Sequence, residues 1–284
     1  MAIVQLFANP ASGSYSAPTI AAIRAAFEAL GAEVRLVHST RERPEIDADA
    51  THVVIAAGDG TVRHVASAAA RGGQDVVLGI YPIGTINLLA MEGDYPADPA
   101  AFARHMLHGT SRRMHYPVRI EGDDYFFACA SVGPDSSAIA RLSMPLKRRI
   151  GRLAYLAAFC GTLRGWRRET MLLVADGERI TCEAFYVAKG RHFAGRWTFA
   201  PSAGVEQPLL HVVALAQARR RDFAAFAWAL FRGADPAVLK GVRRVTCRTL
   251  SATSAYPAPF QADGDIVARL PVTMMVCEEC ICFR

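Results

Sequence analysis

The sequence predicts an α/β domain built on a parallel sheet, followed by a domain of mostly antiparallel β-structure. Four short apolar runs, residues 3–8, 33–38, 51–57 and 76–82, alternate with stretches whose apolar residues recur at helical spacing. That alternation is the order of a parallel sheet. Beyond residue 110 it gives way to short segments separated by turn residues, the pattern of hairpins. The length of 284 residues also exceeds the roughly 100 to 200 of one domain. The boundary is expected near residues 110 to 118, giving an α/β domain of residues 1–115 and a β-sandwich domain of residues 116–284 whose last strand can return to the first.

Residues 3–8 read as a buried strand, followed by Asn9-Pro10-Ala11-Ser12-Gly13-Ser14 and a helix over about 19–30 with Ile20, Ile23, Phe27 and Leu30 facing inward. Ser12, Gly13 and Ser14 offer hydroxyl and backbone donors to a phosphate. Gly31 ends the helix, and residues 33–38 form the second strand. The third, Thr51-His52-Val53-Val54-Ile55, runs into Ala56-Ala57-Gly58-Asp59-Gly60-Thr61 and then a helix presenting Val62, Val65, Ala66 and Ala69. Asp59 therefore sits at a strand's carboxyl end, where open α/β sheets bind ligands, while Gly58 and Gly60 let backbone approach and Thr61 can cap the helix. Unpaired N–H groups and the helix dipole both favour an anion there. The fourth strand leads into Pro82-Ile83-Gly84-Thr85-Ile86-Asn87, where Gly84 turns the chain and Thr85 and Asn87 offer polar groups. Each loop alone is equally well a plain turn; three on one sheet edge are what a nucleotide site needs. Asp98-Pro99 then opens a helix that Gly109 closes.

In the second half, residues 114–121 and 125–132 read as one hairpin across Gly122-Asp123-Asp124, and residues 170–175 and 179–189 as another across Asp176-Gly177. Further strands are expected at 197–200, 209–215, 242–251, 259–262, 266–270 and 272–283. Two apolar helices, 153–163 and 223–231, interrupt them. Arg148, Arg149, Arg167, Arg168 and the run Arg219-Arg220-Arg221 flank these inserts. They suit either core helices with solvated ends or helices lying on an anionic membrane surface.

A hydrophobic share of 52% with 20% charged residues is that of a folded globular protein, and the net charge of +6 suits phosphorylated ligands or an anionic membrane rather than nucleic acid. The start, Met1-Ala2-Ile3-Val4-Gln5, lacks a signal-like segment, and no apolar stretch reaches the roughly 20 residues of a membrane span. A cytoplasmic protein, peripheral to a membrane at most, is expected. Seven cysteines, an odd number, suggest no disulfide framework. Cys277, Cys280 and Cys282 have zinc-like spacing without a second cluster, so reduced thiols in a terminal strand are expected.

Asn9-Pro10-x-Ser12-Gly13, Gly58-Asp59-Gly60-Thr61 and Pro82-x-Gly84-Thr85-x-Asn87-x-x-Ala90, in this order, resemble the diacylglycerol kinase catalytic-domain family, which includes sphingosine kinases and bacterial YegS-like lipid kinases. Gly151-Arg152-Leu153-Ala154-Tyr155, Ala200-Pro201-Ser202-Ala203 and Asp263-Gly264-Asp265 extend the likeness over most of the chain. The resemblance implies an α/β nucleotide domain, a β-sandwich for the lipid, and ATP with magnesium in the cleft. It implies that Asn9, Pro10, Ser12, Gly13, Gly58, Gly60, Thr61, Gly84, Thr85, Asn87 and Arg152 surround the nucleotide, and that Asp59 and Asp265 are the catalytic carboxylates. An NAD kinase shares the loop and the two-domain plan; residues 82–90 and 151–156 favour the lipid-kinase branch. A nucleotide- or lipid-binding relative without catalysis is the third reading.

Three departures stand out. Ala57 replaces the first glycine of the family's G-G-D-G-T, Asp265 replaces its late glutamate, and Val205-Glu206-Gln207-Pro208-Leu209 replaces the acidic segment after A-P-x-A. The last change removes an aspartate that helps hold a metal in some relatives. The metal ligands, the acceptor lipid and the oligomeric state are left open by the sequence.

Overall fold

The computed structural model describes residues 1–12, 14–39, 43–84, 86–141, 161–162 and 168–284. It divides into two compact units, residues 1–117 with 278–284, and residues 118–277.

The first unit holds one six-stranded sheet. β1 (Ile3–Ala8), β2 (Glu33–His38), β3 (His52–Ala57) and β4 (Val77–Pro82) are parallel in the order β2-β1-β3-β4, and β18 (Ile281–Phe283) with β5 (Arg113–His115) completes it. β18 runs parallel to β4 and antiparallel to β5. The central strands β1, β3 and β4 are buried nearly end to end, as expected where helices cover both faces of a sheet. α1 (Ala17–Glu28) buries Ile20, Ile23 and Phe27, and the Phe27 ring meets the edge of Phe102 on α4 (Pro99–His108) at 6.2 Å. Asp98 caps α4 by accepting from the Ala101 N–H at 2.7 Å. α2 (Asp59–Gly72) and the short α3 (Leu88–Glu92) follow β3 and β4 directly.

The second unit carries two antiparallel six-stranded sheets, the layers of a β-sandwich. One has the order β10-β9-β14-β17-β6-β7, built from β6 (Val118–Ile120), β7 (Tyr125–Phe126), β9 (Met171–Ala175), β10 (Glu178–Cys182), β14 (Thr249–Ser254) and β17 (Val272–Val276). The other has the order β13-β12-β11-β8-β15-β16, built from β8 (Cys129–Val132), β11 (Ala184–Ala188), β12 (Leu210–Leu215), β13 (Val242–Cys247), β15 (Pro259–Ala262) and β16 (Asp265–Arg269). α5 (Pro134–Arg141) follows β8. α6 (Arg220–Phe231) buries Phe223, Phe226 and Leu230, with Phe226 stacked on Tyr186 of β11 at 5.0 Å.

Several expectations need correction. Leu30 is not inward: α1 stops at Glu28 and Leu30 is exposed beyond it. Of the stretch 114–132, only β6 and β7 pair as a hairpin, while β5 joins the first unit's sheet and β8 the other layer. The stretch 179–189 breaks at Glu183 into β10 and β11, which lie in different sheets, and 242–251 breaks at Arg248 into β13 and β14 in the same way. Residues 197–200 form no strand; Phe193 and Trp197 make one bridge. The stretch 272–283 splits into β17 and β18. Most of the 153–163 helix lies outside the described residues.

Candidate active site

The three strand ends singled out by the sequence meet at one edge of the first sheet, because β1, β3 and β4 are adjacent and parallel. Thr61 does not cap α2. Gly58 is the N-cap, the helix begins at Asp59, and its first bond runs from the Val62 N–H to the Gly58 carbonyl. The N–H groups of Asp59, Gly60 and Thr61 therefore precede the helical ladder. The Thr61 hydroxyl instead accepts from Asn9 Nδ2 at 2.9 Å, which ties the loop after β1 to α2. Asn9 Oδ1 in turn accepts from the Ala11 N–H at 2.8 Å, and the Asn9 carbonyl from the Ser12 N–H at 3.0 Å, closing a tight turn around Pro10.

Asp59 reaches sideways to the loop after β4. Its Oδ2 accepts from the Asn87 N–H at 2.8 Å and its Oδ1 from the Leu88 N–H at 2.6 Å, so it is the acceptor for the first N–H groups of α3. Asn87 sits in the left-handed region, φ 59°, with Nδ2 donating to the Gly84 carbonyl at 3.1 Å and a buried Oδ1 that has no partner among the described residues. Gly84 is required by this closeness: a Cβ there would lie 2.6 Å from Gly58 Cα and 2.5 Å from Asn87 Oδ1. Asn9, Pro10, Ser12, Gly58, Asp59, Gly60, Thr61, Gly84 and Asn87 thus form one cluster. Gly13, Thr85 and Arg152 lie outside the described residues.

The second unit holds its own carboxylates. Asp263 and Gly264 make the β15–β16 turn, both with positive φ, as the Asp-Gly pair predicts. The buried Asp263 carboxylate accepts three backbone N–H groups, from Phe127 at 2.7 Å, Ala128 at 2.9 Å and Cys129 at 3.0 Å. Asp265 opens β16, partly exposed.

Sequence reasoning passed over Asp135. It sits in the first turn of α5, accepts from the Ser131 hydroxyl, and has the Tyr186 hydroxyl beside it. Ser131 accepts from Gln261 Nε2 at 2.9 Å, and Gln261 Oε1 accepts from the Gly264 N–H at 3.0 Å, so a polar line runs from the Asp263-Gly264 turn to Asp135. Burial pushes the Asp135 carboxyl above the usual carboxylate range, and burial with the neighbouring Asp135 pushes the Tyr186 phenol up. Gly133-Pro134-Asp135, a helix start behind an apolar strand, was the available signal.

The family described as "Diacylglycerol kinase catalytic domain" matches residues 4–117, and that described as "YegS C-terminal NAD kinase beta sandwich-like domain" matches residues 128–282. A Pseudomonas aeruginosa protein named "Probable lipid kinase YegS-like" is 33% identical over 169 residues, covering 56% of this chain and 53% of that protein. One of the same name from Xanthomonas oryzae pv. oryzae is 30% identical over 237 residues, covering 78% and 74%. The matched region thus spans about half the length of the first relative. In fold, the chain is similar to the crystal structure of a diacylglycerol kinase from Bacillus anthracis, with a TM-score of 0.73 at 14% identity over 99% of this chain and 96% of that one. With both halves matched in order, the chain belongs to the YegS-like branch of the diacylglycerol kinase catalytic-domain family.

Proposed function

We propose that this chain is an ATP-dependent lipid kinase that transfers the γ-phosphate to a hydroxyl of a diacylglycerol- or sphingoid-like lipid. The observation that carries the reading is the meeting of three strand-end loops at the start of α2, bound together by Asn9, Asp59 and Gly84. Phosphoryl transfer asks a protein mainly to position phosphates and offset their charge. The position of the Asp59, Gly60 and Thr61 N–H groups ahead of the α2 ladder supports that role for them, and Arg152 is the proposed side-chain cation. Among the described residues, no group of three or more His, Cys, Asp or Glu is arranged to hold a metal ion. Magnesium is proposed as the counter-ion of ATP, where it offsets charge on the phosphates. As the lipid oxygen bonds to the γ-phosphorus, the bond to the ADP oxygen breaks and Asp265 takes the hydroxyl proton.

The test is transfer of labelled phosphate from ATP to an extracted lipid mixture, with NAD in a parallel reaction. Label in an organic-soluble product is expected. Label in NADP alone would make this an NAD kinase, and label in neither a binding protein without catalysis.

Contact with an anionic membrane surface is part of the proposal, but not through all the arginines the sequence singled out. Arg168 is held by Glu183 through two bonds of 2.7 Å, and Arg219 by Asp222 at 3.0 Å in the capping box of α6. Arg148, Arg149 and Arg167 lie outside the described residues. The proposed contact is the outer side of α6, where Trp228 and Phe231 are 59% and 67% exposed and stack at 5.7 Å, with Arg232 beside Trp228 and the exposed Arg221 3.9 Å from Asp222. An interfacial helix combines these residue types. No helix among the described residues is long and apolar enough to cross a membrane. Cosedimentation should rise with anionic lipid, fall with salt and weaken in Trp228→Ala; equal binding to neutral and anionic vesicles at all salt concentrations would remove the membrane from the proposal.

A further inference from the structure

The chain has three lysines among its 32 basic residues, Lys147, Lys189 and Lys240. Lys189 is fully buried, directly after β11. Its Nζ donates to the carbonyls of Gln207 at 2.6 Å, Val205 at 2.7 Å and Gly204 at 3.4 Å. These carbonyls belong to the loop between the Ala200-Pro201-Ser202-Ala203 segment and β12, where the family's acidic stretch is replaced.

Three carbonyl oxygens converging on one point are the environment of a hard cation, which takes oxygen ligands. Carbonyls only accept, so three of them require three N–H donors. An ammonium supplies three, whereas a neutral amine supplies two and turns a lone pair towards the third oxygen. A guanidinium holds its donors in one plane, whereas an ammonium spreads three from one nitrogen, which suits a lysine here in a chain that mostly uses arginine.

The rest of the loop is tied by its own polar groups. Gln207 Nε2 donates to the Ser202 carbonyl at 3.2 Å, which leaves Gln207 Oε1 to accept from His211 Nε2 at 3.0 Å. His211 Nδ1 is then bare and faces the Ser202 hydroxyl at 3.4 Å. Burial first, then the charges of Arg244 and Lys189, keep this imidazole neutral by lowering its pKa. The loop is thus closed around a cation belonging to the chain itself.

We propose that the Lys189 ammonium is the resident cation of the Gly204–Gln207 loop, ordering it as a carboxylate-held metal ion would, so that this loop needs no divalent metal. Lys189 is a positioning residue. Any magnesium requirement of the protein then lies outside this loop, and chelation leaves the folded loop intact. The inference stands apart from the kinase reading, because its tests use neither nucleotide nor lipid.

Two measurements on the full chain decide it. The first is nitrogen-detected NMR of lysine-labelled protein at neutral pH. With only three lysines, one slowly exchanging Nζ ammonium signal is expected, absent in Lys189→Met; no protected ammonium, or the shift of a neutral amine, overturns the proposal. The second is thermal unfolding in EDTA and in magnesium or calcium. The wild type should melt at the same temperature in all three, and a metal-dependent rise lost in Lys189→Met would show that the loop holds a metal after all. Lys189→Met should melt about 5 to 10 °C lower, from uncoordinated buried carbonyls, and Lys189→Arg should not restore it. Should Lys189→Met fail to fold, the wild-type ammonium signal and metal titration still decide the matter.

Discussion

Asp59 and Asp263 have similar neighbours in sequence, Gly-Asp-Gly and Ala-Asp-Gly, and both accept backbone N–H groups, yet their settings differ. Asp59 stands half-exposed at the start of α2 and joins two loops 28 residues apart. Asp263 is 5% exposed and holds three consecutive N–H groups where the chain enters β8. A carboxylate at an open strand end can serve a ligand while it ties loops together. One that is buried with its oxygens spent on backbone serves the fold. The lesson is that a glycine-flanked aspartate takes its role from burial rather than from its neighbours.

The comparison is tested most severely at the buried end. Asp263→Asn turns an amide towards N–H donors and should cost about 3 to 5 kcal/mol of stability, read by chemical unfolding. A loss below 1 kcal/mol would show that the turn does not depend on this charge. Asp59→Asn should do the reverse, lowering phosphoryl transfer by about 100- to 1,000-fold with a much smaller loss of stability; wild-type rates with unchanged thermal unfolding would remove Asp59 from the chemistry. Gly84→Ala tests the loop junction itself. The added methyl would meet Gly58 and Asn87 and should cost about 1 to 3 kcal/mol, with nucleotide use impaired, and unaltered kinetics would mean that the loops do not act together.

Asp135 sharpens the contrast as a carboxyl whose proton affinity burial raises. Its folded pKa is raised, so its contribution to stability is fully present below the unfolded value of about 4 and is lost as pH rises towards the folded value. Stability should therefore decline with pH over that interval, and Asp135→Asn should flatten the decline. A wild-type profile identical to that of Asp135→Asn would show that Asp135 ionises normally.

Much of the first unit was legible in the sequence. Its central strands are apolar runs and its turns carry glycine; the Asp98-Pro99 cap there, like the Asp263-Gly264 turn of the second unit, depends on residues next to one another. The cluster of Asn9, Gly58, Asp59, Gly84 and Asn87 followed from placing three loops on one sheet edge. The sheet-to-sheet crossings at Glu183 and Arg248 were not legible, because a strand's alternation reads the same whether it continues or passes to the other layer.

What the sequence by itself determined was therefore local: strand and helix identity in the first unit, the glycine loops, the hairpin turns and the family motifs. Tertiary structure alone decided which groups meet. It set Asp59 against the N–H groups of Asn87 and Leu88, gave Arg168 to Glu183, and closed the Gly204–Gln207 carbonyls on Lys189. The physical reason is range. Periodicity, capping and turn geometry act over a few residues and are written where they act. A hydrogen bond between distant segments depends on sheet order and burial, which the whole chain must settle before any one pair can form.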